Sequence, residues 1–138
     1  GVAEHPMNPL EVMLAAGATH IARGYTRKTR HLKDVFKEAI MHRGFSFVDV
    51  LQICATYSNL TDYYDAHVYE MQDGELDTGR FESALQKIRE WDYDRDAPIA
   101  IGTFYSIERP LYEEGFSVPP SGLEERRGRV RRLVEGWR

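Results

Sequence analysis

Between His31 and Arg43 the apolar residues Leu32, Val35, Phe36, Ala39 and Ile40 recur at spacings of three and four, with Lys33, Asp34, Lys37 and Glu38 on the other face. This periodicity predicts an amphipathic helix, and Gly44 supplies its stop. On either side the period changes. His20-Ile-Ala-Arg-Gly-Tyr25 reads as a short strand, and Phe45 to Leu51, dense in aromatic and β-branched residues, reads as a second, buried strand. Strand, helix and strand within about 30 residues make a βαβ unit with parallel strands and a right-handed crossover. Arg23 to Arg30 and Cys54 to Asn59 then become loops on one rim, where open α/β sheets place ligands.

The remaining segments extend the same architecture. Asn8-Pro9-Leu10-Glu11 offers a cap, a first-turn proline and an acid, leading into Val12 to Ala16 and a stop at Gly17. A helix is predicted over Asp62 to Met71. Another begins at Asp77-Thr78, its stripe marked by Phe81, Ala84, Leu85, Ile88 and Trp91. Pro98 to Tyr105 reads as a third strand, Arg109 to Gly115 as a turn, Ser117 to Gly122 as a connector, and Leu123 to Trp137 as a basic helix interrupted by Gly128. The fold class is α/β, a mostly parallel sheet flanked by helices.

Composition narrows the function classes. With 138 residues and 42% hydrophobic content the chain suits one ordinary core, and a formal charge of -4 gives no general attraction to nucleic acid. No apolar run approaches the roughly 18 residues that a membrane span needs. The single cysteine excludes an internal disulfide and fits a reducing cytoplasm. Gly1 to Leu10 reads as a loop entering a helix with no strand before it, so an upstream segment is expected.

Cys54 is the residue of greatest chemical interest, although a lone cysteine is more commonly a buried structural thiol. Thr56 and Asn59 beside it suit loop-holding hydrogen bonds. Asp49 interrupts an apolar strand and needs a partner, for which Arg23 is the natural candidate. Arg23, Arg27, Lys28 and Arg30 suit either an anion or a solvated loop. The five histidines show no i, i+4 pair, and no nucleophile elbow or glycine-rich phosphate loop occurs. Arg126 to Arg132 is a basic run tempered by Glu124, Glu125 and Glu135, most simply a solvated helix face. Tyr57, Tyr63, Tyr64, Tyr69 and Phe81 suit core packing and subunit contact.

Several ordered blocks carry a family likeness. Asn8-Pro-Leu10, Leu14-Ala-Ala-Gly-Ala-Thr-His-Ile-Ala-Arg-Gly24, His31-Leu32, and Ala39-Ile-Met-His-Arg-Gly-Phe-Ser-Phe-Val-Asp-Val-Leu-Gln52 with Cys54 resemble the beta subunit of 2-oxoacid:ferredoxin oxidoreductases. Val68-Tyr-Glu70, Trp91, Pro98-Ile99, Phe104-Tyr105 and Arg109-Pro-Leu-Tyr-Glu-Glu114 continue the likeness in order. It covers residues 6 to 114. The resemblance implies the back half of a thiamine-diphosphate-binding domain over residues 1–115, followed by a connector and basic helix over 116–138. It implies oxidative decarboxylation of a 2-oxoacid to an acyl-coenzyme A, with electrons leaving through a [4Fe-4S] cluster to ferredoxin. Cys54 takes the position of the last cluster cysteine, making it both the cofactor-binding and the metal-ligating residue.

Two features depart from the family pattern. Ile53 replaces the proline that precedes this cysteine, and the thiamine motif, the diphosphate and magnesium ligands and three further cysteines have no counterpart in these residues. The expected partners are therefore an alpha subunit or front-half chain, together with ferredoxin, a 2-oxoacid and coenzyme A, and the chain alone is expected to be inactive. Two alternatives stand beside this reading: a truncated, non-catalytic domain that docks a partner subunit, and an anion-binding module using the Arg23 to Arg30 rim.

Overall fold

The computed structural model describes residues 3–56, 59–93, 95–115, 128 and 132. In chain order the elements are α1 (Pro9–Ala15), β1 (His20–Tyr25), α2 (Thr29–Met41), β2 (Ser46–Leu51), α3 (Thr61–His67), β3 (Val68–Glu70), α4 (Phe81–Ile88) and β4 (Ile99–Ser106), then a short 3-10 turn over Tyr112–Gly115. The first helix starts as the sequence predicts: the Asn8 side-chain oxygen accepts from the Glu11 amide at 3.3 Å, Pro9 opens the helix, and Gly17 follows it at φ 89°.

The four strands form one sheet in the order β2-β1-β4-β3. Both outer pairings are parallel, β1 with β2 and β3 with β4, while the central pairing of β1 with β4 is antiparallel. The βαβ unit over residues 20–51 is present, with Arg23 opposite Asp49 in register. Val68–Glu70 is a strand where the sequence pattern predicts the end of a helix, and Trp91 lies beyond α4, which closes at Ile88. A three-residue strand is too short to announce itself by alternation, and its strand state comes from pairing with Ile99 to Ile101.

Helices cover both faces. On one, Leu10 and Leu14 of α1 and Ala84 and Ile88 of α4 pack on Ile21 and Phe104, all buried. Arg89, just after α4, donates to Glu11 of α1 and ties those two elements together. The opposite face carries α2. Gly24 lies directly beneath Leu32 of this helix, and an added Cβ would force the leucine side chain to shift.

A second apolar cluster of Tyr25, Leu51, Trp91, Ile99 and Ile101 fills the end of the sheet where β1 and β2 finish and β4 begins. The predicted burial of β2 is only partly realised. It is an outer strand, and five of its six residues are half-buried. The connector and basic helix predicted for 116–138 lie outside the described residues, apart from Gly128 and Arg132.

Candidate functional site

The rim formed by the ends of β1 and β2 carries the loop with Cys54. Leu51 ends the strand inside the apolar cluster, and Ile53 packs its side chain against the same cluster. Where the family pattern has a ring-constrained proline, an apolar anchor fixes the loop. Cys54 follows immediately and is exposed, so the buried structural thiol is not what the fold builds. Asn59 holds the far end of the loop: its side-chain oxygen accepts from the Thr61 amide at 3.2 Å and from the Thr61 hydroxyl. Thr56 is exposed, and Tyr57 lies outside the described residues.

Beneath this rim sits a buried polar lock. Arg23 was expected in a loop able to meet an anion, but it lies inside β1 and is 1% exposed. Its Nε donates to Asp49 Oδ2 at 2.9 Å, the pairing that the interrupted strand pattern suggested. The Tyr93 hydroxyl donates to the same carboxylate oxygen at 2.6 Å and accepts from Arg23 Nη2 at 3.0 Å. Three rings surround the guanidinium, with Trp91, Tyr93 and Phe104 centred 5.1, 5.2 and 5.4 Å away. Burial raises the Tyr93 phenol well above its ordinary range, Arg23 opposing that shift and Asp49 reinforcing it. Tyr93 adopts φ 61°, a conformation that side chains with a Cβ rarely take. No periodic signal marks this tyrosine. The aromatic doublet of Trp91 and Tyr93, just past a helix and facing a strand arginine, was the available clue.

Two of the other rim cations, Arg27 and Lys28, pair with local acids. Arg27 pairs with Asp65 at 3.3 Å, and Lys28 approaches Glu70 at 3.4 Å. Tyr25 donates its hydroxyl to Asp65 at 2.8 Å, and burial followed by this hydrogen bond pushes the phenol up to about 12. These contacts favour the solvated-loop role over an anion site for Arg27 and Lys28. Tyr63, Tyr64, Trp91, Tyr93 and Arg95 line an open hollow of about 430 Å³ on the same rim. Tyr63 and Tyr64 pack against the rim cluster and Tyr69 against the larger core, whereas Phe81 is exposed.

Among the described residues no three His, Cys, Asp or Glu side chains are placed to hold a metal ion. An exposed thiol on an anchored loop fits one ligand position of an iron–sulfur cluster, whose other ligands must come from elsewhere. No helix of the described residues is long and apolar enough to cross a membrane.

Comparison with known proteins gives these features a context. The model of the C-terminal segment of the pyruvate ferredoxin oxidoreductase beta subunit matches residues 54–119, starting at Cys54 itself. A 2-oxoacid:ferredoxin oxidoreductase subunit beta from a Sulfolobus species is 32% identical over 94% of this chain and 48% of its own. The corresponding subunit of Saccharolobus solfataricus is 36% identical over 74% of this chain and 36% of its own. A solved 2-oxoglutarate:ferredoxin oxidoreductase from Magnetococcus marinus, with 2-oxoglutarate, coenzyme A and succinyl-CoA bound, is similar over 94% of this chain and 41% of its own, at a TM-score of 0.74 and 26% identity. The chain thus spans less than half the length of each of these relatives.

Proposed function

The chain belongs to the family of 2-oxoacid:ferredoxin oxidoreductase beta subunits, and we propose that it works as the C-terminal portion of such a subunit. The complete assembly then oxidatively decarboxylates a 2-oxoacid, forms an acyl-coenzyme A and delivers electrons to ferredoxin in the cytoplasm. Residues 1–115 serve as the back half of the thiamine-diphosphate-binding domain and 116–138 as a connector and basic helix. The observation that carries this reading is the coincidence of two matches: a relative agrees in sequence and a solved oxidoreductase agrees in fold, each over 94% of the chain.

Within that assembly Cys54 is the residue assigned chemistry. It supplies one thiolate to a [4Fe-4S] cluster, and its exposure on the loop beyond β2 supports that role. Ile53 keeps the loop seated on the apolar cluster, and the Arg23–Asp49–Tyr93 lock stiffens the strands that carry it. Thiamine diphosphate with magnesium and the cluster provide decarboxylation and electron exit when bound. Their remaining ligands belong to a front-half segment or an alpha subunit, and this chain by itself is inactive.

Anaerobic purification of the natural assembly, with Cys54→Ser introduced, tests the assignment. The variant assembly is expected to lose cluster iron and ferredoxin reduction, while the melting temperature of the isolated chain stays within about 1 °C, because the site is exposed there and serine is similar in size. Unchanged iron content and unchanged electron transfer would remove Cys54 from the cluster. The exposed apolar flank of α2 favours a second reading, a non-catalytic docking domain. An assembly that contains partner chains but neither iron nor thiamine would select it.

A further inference from the structure

A charge pair lies deep beneath the rim that carries Cys54. The side chains of Arg23 and Asp49 are 1% and 16% exposed, whereas both members of the Arg27–Asp65 and Lys28–Glu70 pairs on the same rim are at least 40% exposed. Water and salt screen the outer pairs and reach the buried one far less. Asp49 Oδ2 receives two donors, Arg23 Nε at 2.9 Å and the Tyr93 hydroxyl at 2.6 Å. Tyr93 makes its bond from a backbone at φ 61°, so the chain is strained where it holds this oxygen.

Stability alone does not call for this arrangement. A buried ion pair replaced by apolar side chains of similar volume is commonly as stable or more so. Val48 and Val50 flank Asp49 on β2, and another apolar residue there would have continued the strand. What an apolar residue cannot supply is charge. Arg23 sets a cation among Trp91, Tyr93 and Phe104, and among the described residues Asp49 is the carboxylate bonded to it. Cys54 follows Asp49 by five residues, which bounds the separation of their Cα atoms at about 18 Å. A unit charge at about 18 Å, with an effective dielectric constant of about 20, shifts a one-electron equilibrium about fivefold.

We infer that Asp49 serves the electron-transfer step: by cancelling the Arg23 charge beneath the Cys54 thiolate, it keeps the cluster proposed there strongly reducing. The inference rests on the proposed function, because it takes Cys54 as a cluster ligand. Reduction adds one electron and one negative charge to the cluster, and reoxidation passes that electron to ferredoxin. An uncompensated guanidinium would stabilise the reduced form, raise its potential and make the electron harder to pass on. Tyr93 is a positioning residue here, acting through the carboxylate that its hydroxyl holds.

Potentiometric titration of the anaerobic natural assembly, followed by electron paramagnetic resonance, tests this. The signal to follow is the one that Cys54→Ser abolishes. Asp49→Asn keeps the side chain's shape and removes its charge, and it should favour the reduced cluster about fivefold at a fixed potential, a rise of about 40 mV at 59 mV per tenfold for one electron. Arg23→Gln should shift the equilibrium about as far the other way, and it decides the matter if Asp49→Asn does not assemble. The double variant Arg23→Met with Asp49→Leu is neutral, as the wild-type pair is, and should stay within about twofold of the wild type although the lock is gone. A merely structural lock would change cluster content or stability without shifts of opposite sign. Single variants that leave the potential in place or move it the same way, or a double variant that moves it as far as a single one, would overturn the inference. If no signal depends on Cys54, the proposed function fails and the inference falls with it. A Cys54-dependent signal that ignores both charges sinks the inference alone.

Discussion

Helices α2 and α4 lie on opposite faces of one sheet and are written in the same amphipathic code, yet they meet different ends. On α4 the stripe is buried past its first residue: Phe81 is exposed, but Ala84 and Ile88 are fully buried against Ile21 and Phe104, and α1 closes the flank through Arg89 and Glu11. On α2 only Val35 is fully enclosed, and Phe36 and Ile40 stand in the open above an unextended strand. Apolar periodicity thus dictates that a helix forms and which way it faces, but the number of neighbours decides how much of the stripe is covered. The closed side holds this chain together, and the open side is where something else belongs.

The largest test of that contrast exchanges a phenylalanine for alanine on each side. Phe104→Ala on the closed side removes a fully buried ring that also faces Arg23, and it should destabilise the isolated chain by about 3–5 kcal/mol. Phe36→Ala on the open side should cost less than about 1 kcal/mol. Urea denaturation of both variants measures the difference. Equal losses would mean that α2 is as enclosed as α4.

A somewhat smaller effect is expected from the lock between β1 and β2. Arg23→Met leaves Asp49 with only the Tyr93 hydroxyl among these partners, and an uncompensated, largely buried carboxylate costs roughly 3 kcal/mol. Adding Asp49→Leu removes the stranded charge and should restore most of that loss, since replacing both members of a buried pair with apolar side chains is close to neutral. If the double variant is no more stable than Arg23→Met, the lock acts through the guanidinium's packing on Trp91, Tyr93 and Phe104 instead of through its charge.

What the sequence made legible follows the same division. Asn8 at the start of α1, the limits of β1, the amphipathic character of α2 and the partnership of Arg23 with Asp49 are local or nearest-strand properties, and each was readable from residue type and spacing. The antiparallel join of β1 to β4, strand β3 and the outer position of β2 depend on which distant segments meet, and nothing in a six-residue window encodes that. At the site, the position of Cys54 beyond the second strand was readable, but its anchoring by Ile53 was not, because an isolated isoleucine in a loop carries no periodic signal. Tyr93 escaped for a similar reason: its role comes from a loop conformation at φ 61°, not from any pattern.

The smallest expected effect concerns a buried group that the open side leaves without a full set of partners. His20 is 3% exposed, its Nδ1 lies 3.4 Å from the Ser106 hydroxyl, its ring centre is 5.1 Å from that of His42 at the end of α2, and its Nε2 has no hydrogen-bond partner among the described residues. Burial lowers its pKa below the ordinary 6.5, His42 adds to that, and Glu38 opposes it. The unfolded chain therefore binds this proton at a higher pH than the folded one. Stability from this residue is complete above 6.5 and falls as the pH drops through 6.5 toward the lowered folded value, with a slope of at most about 1.4 kcal/mol per pH unit for one proton. Arg23, equally buried on the closed side, has a carboxylate as its partner. Denaturation of the wild type and His20→Gln between pH 5 and 8, at intervals of about half a unit, isolates the term. The variant should lose the slope below 6.5 that the wild type shows. A slope that survives the substitution would show that His20 is not its source.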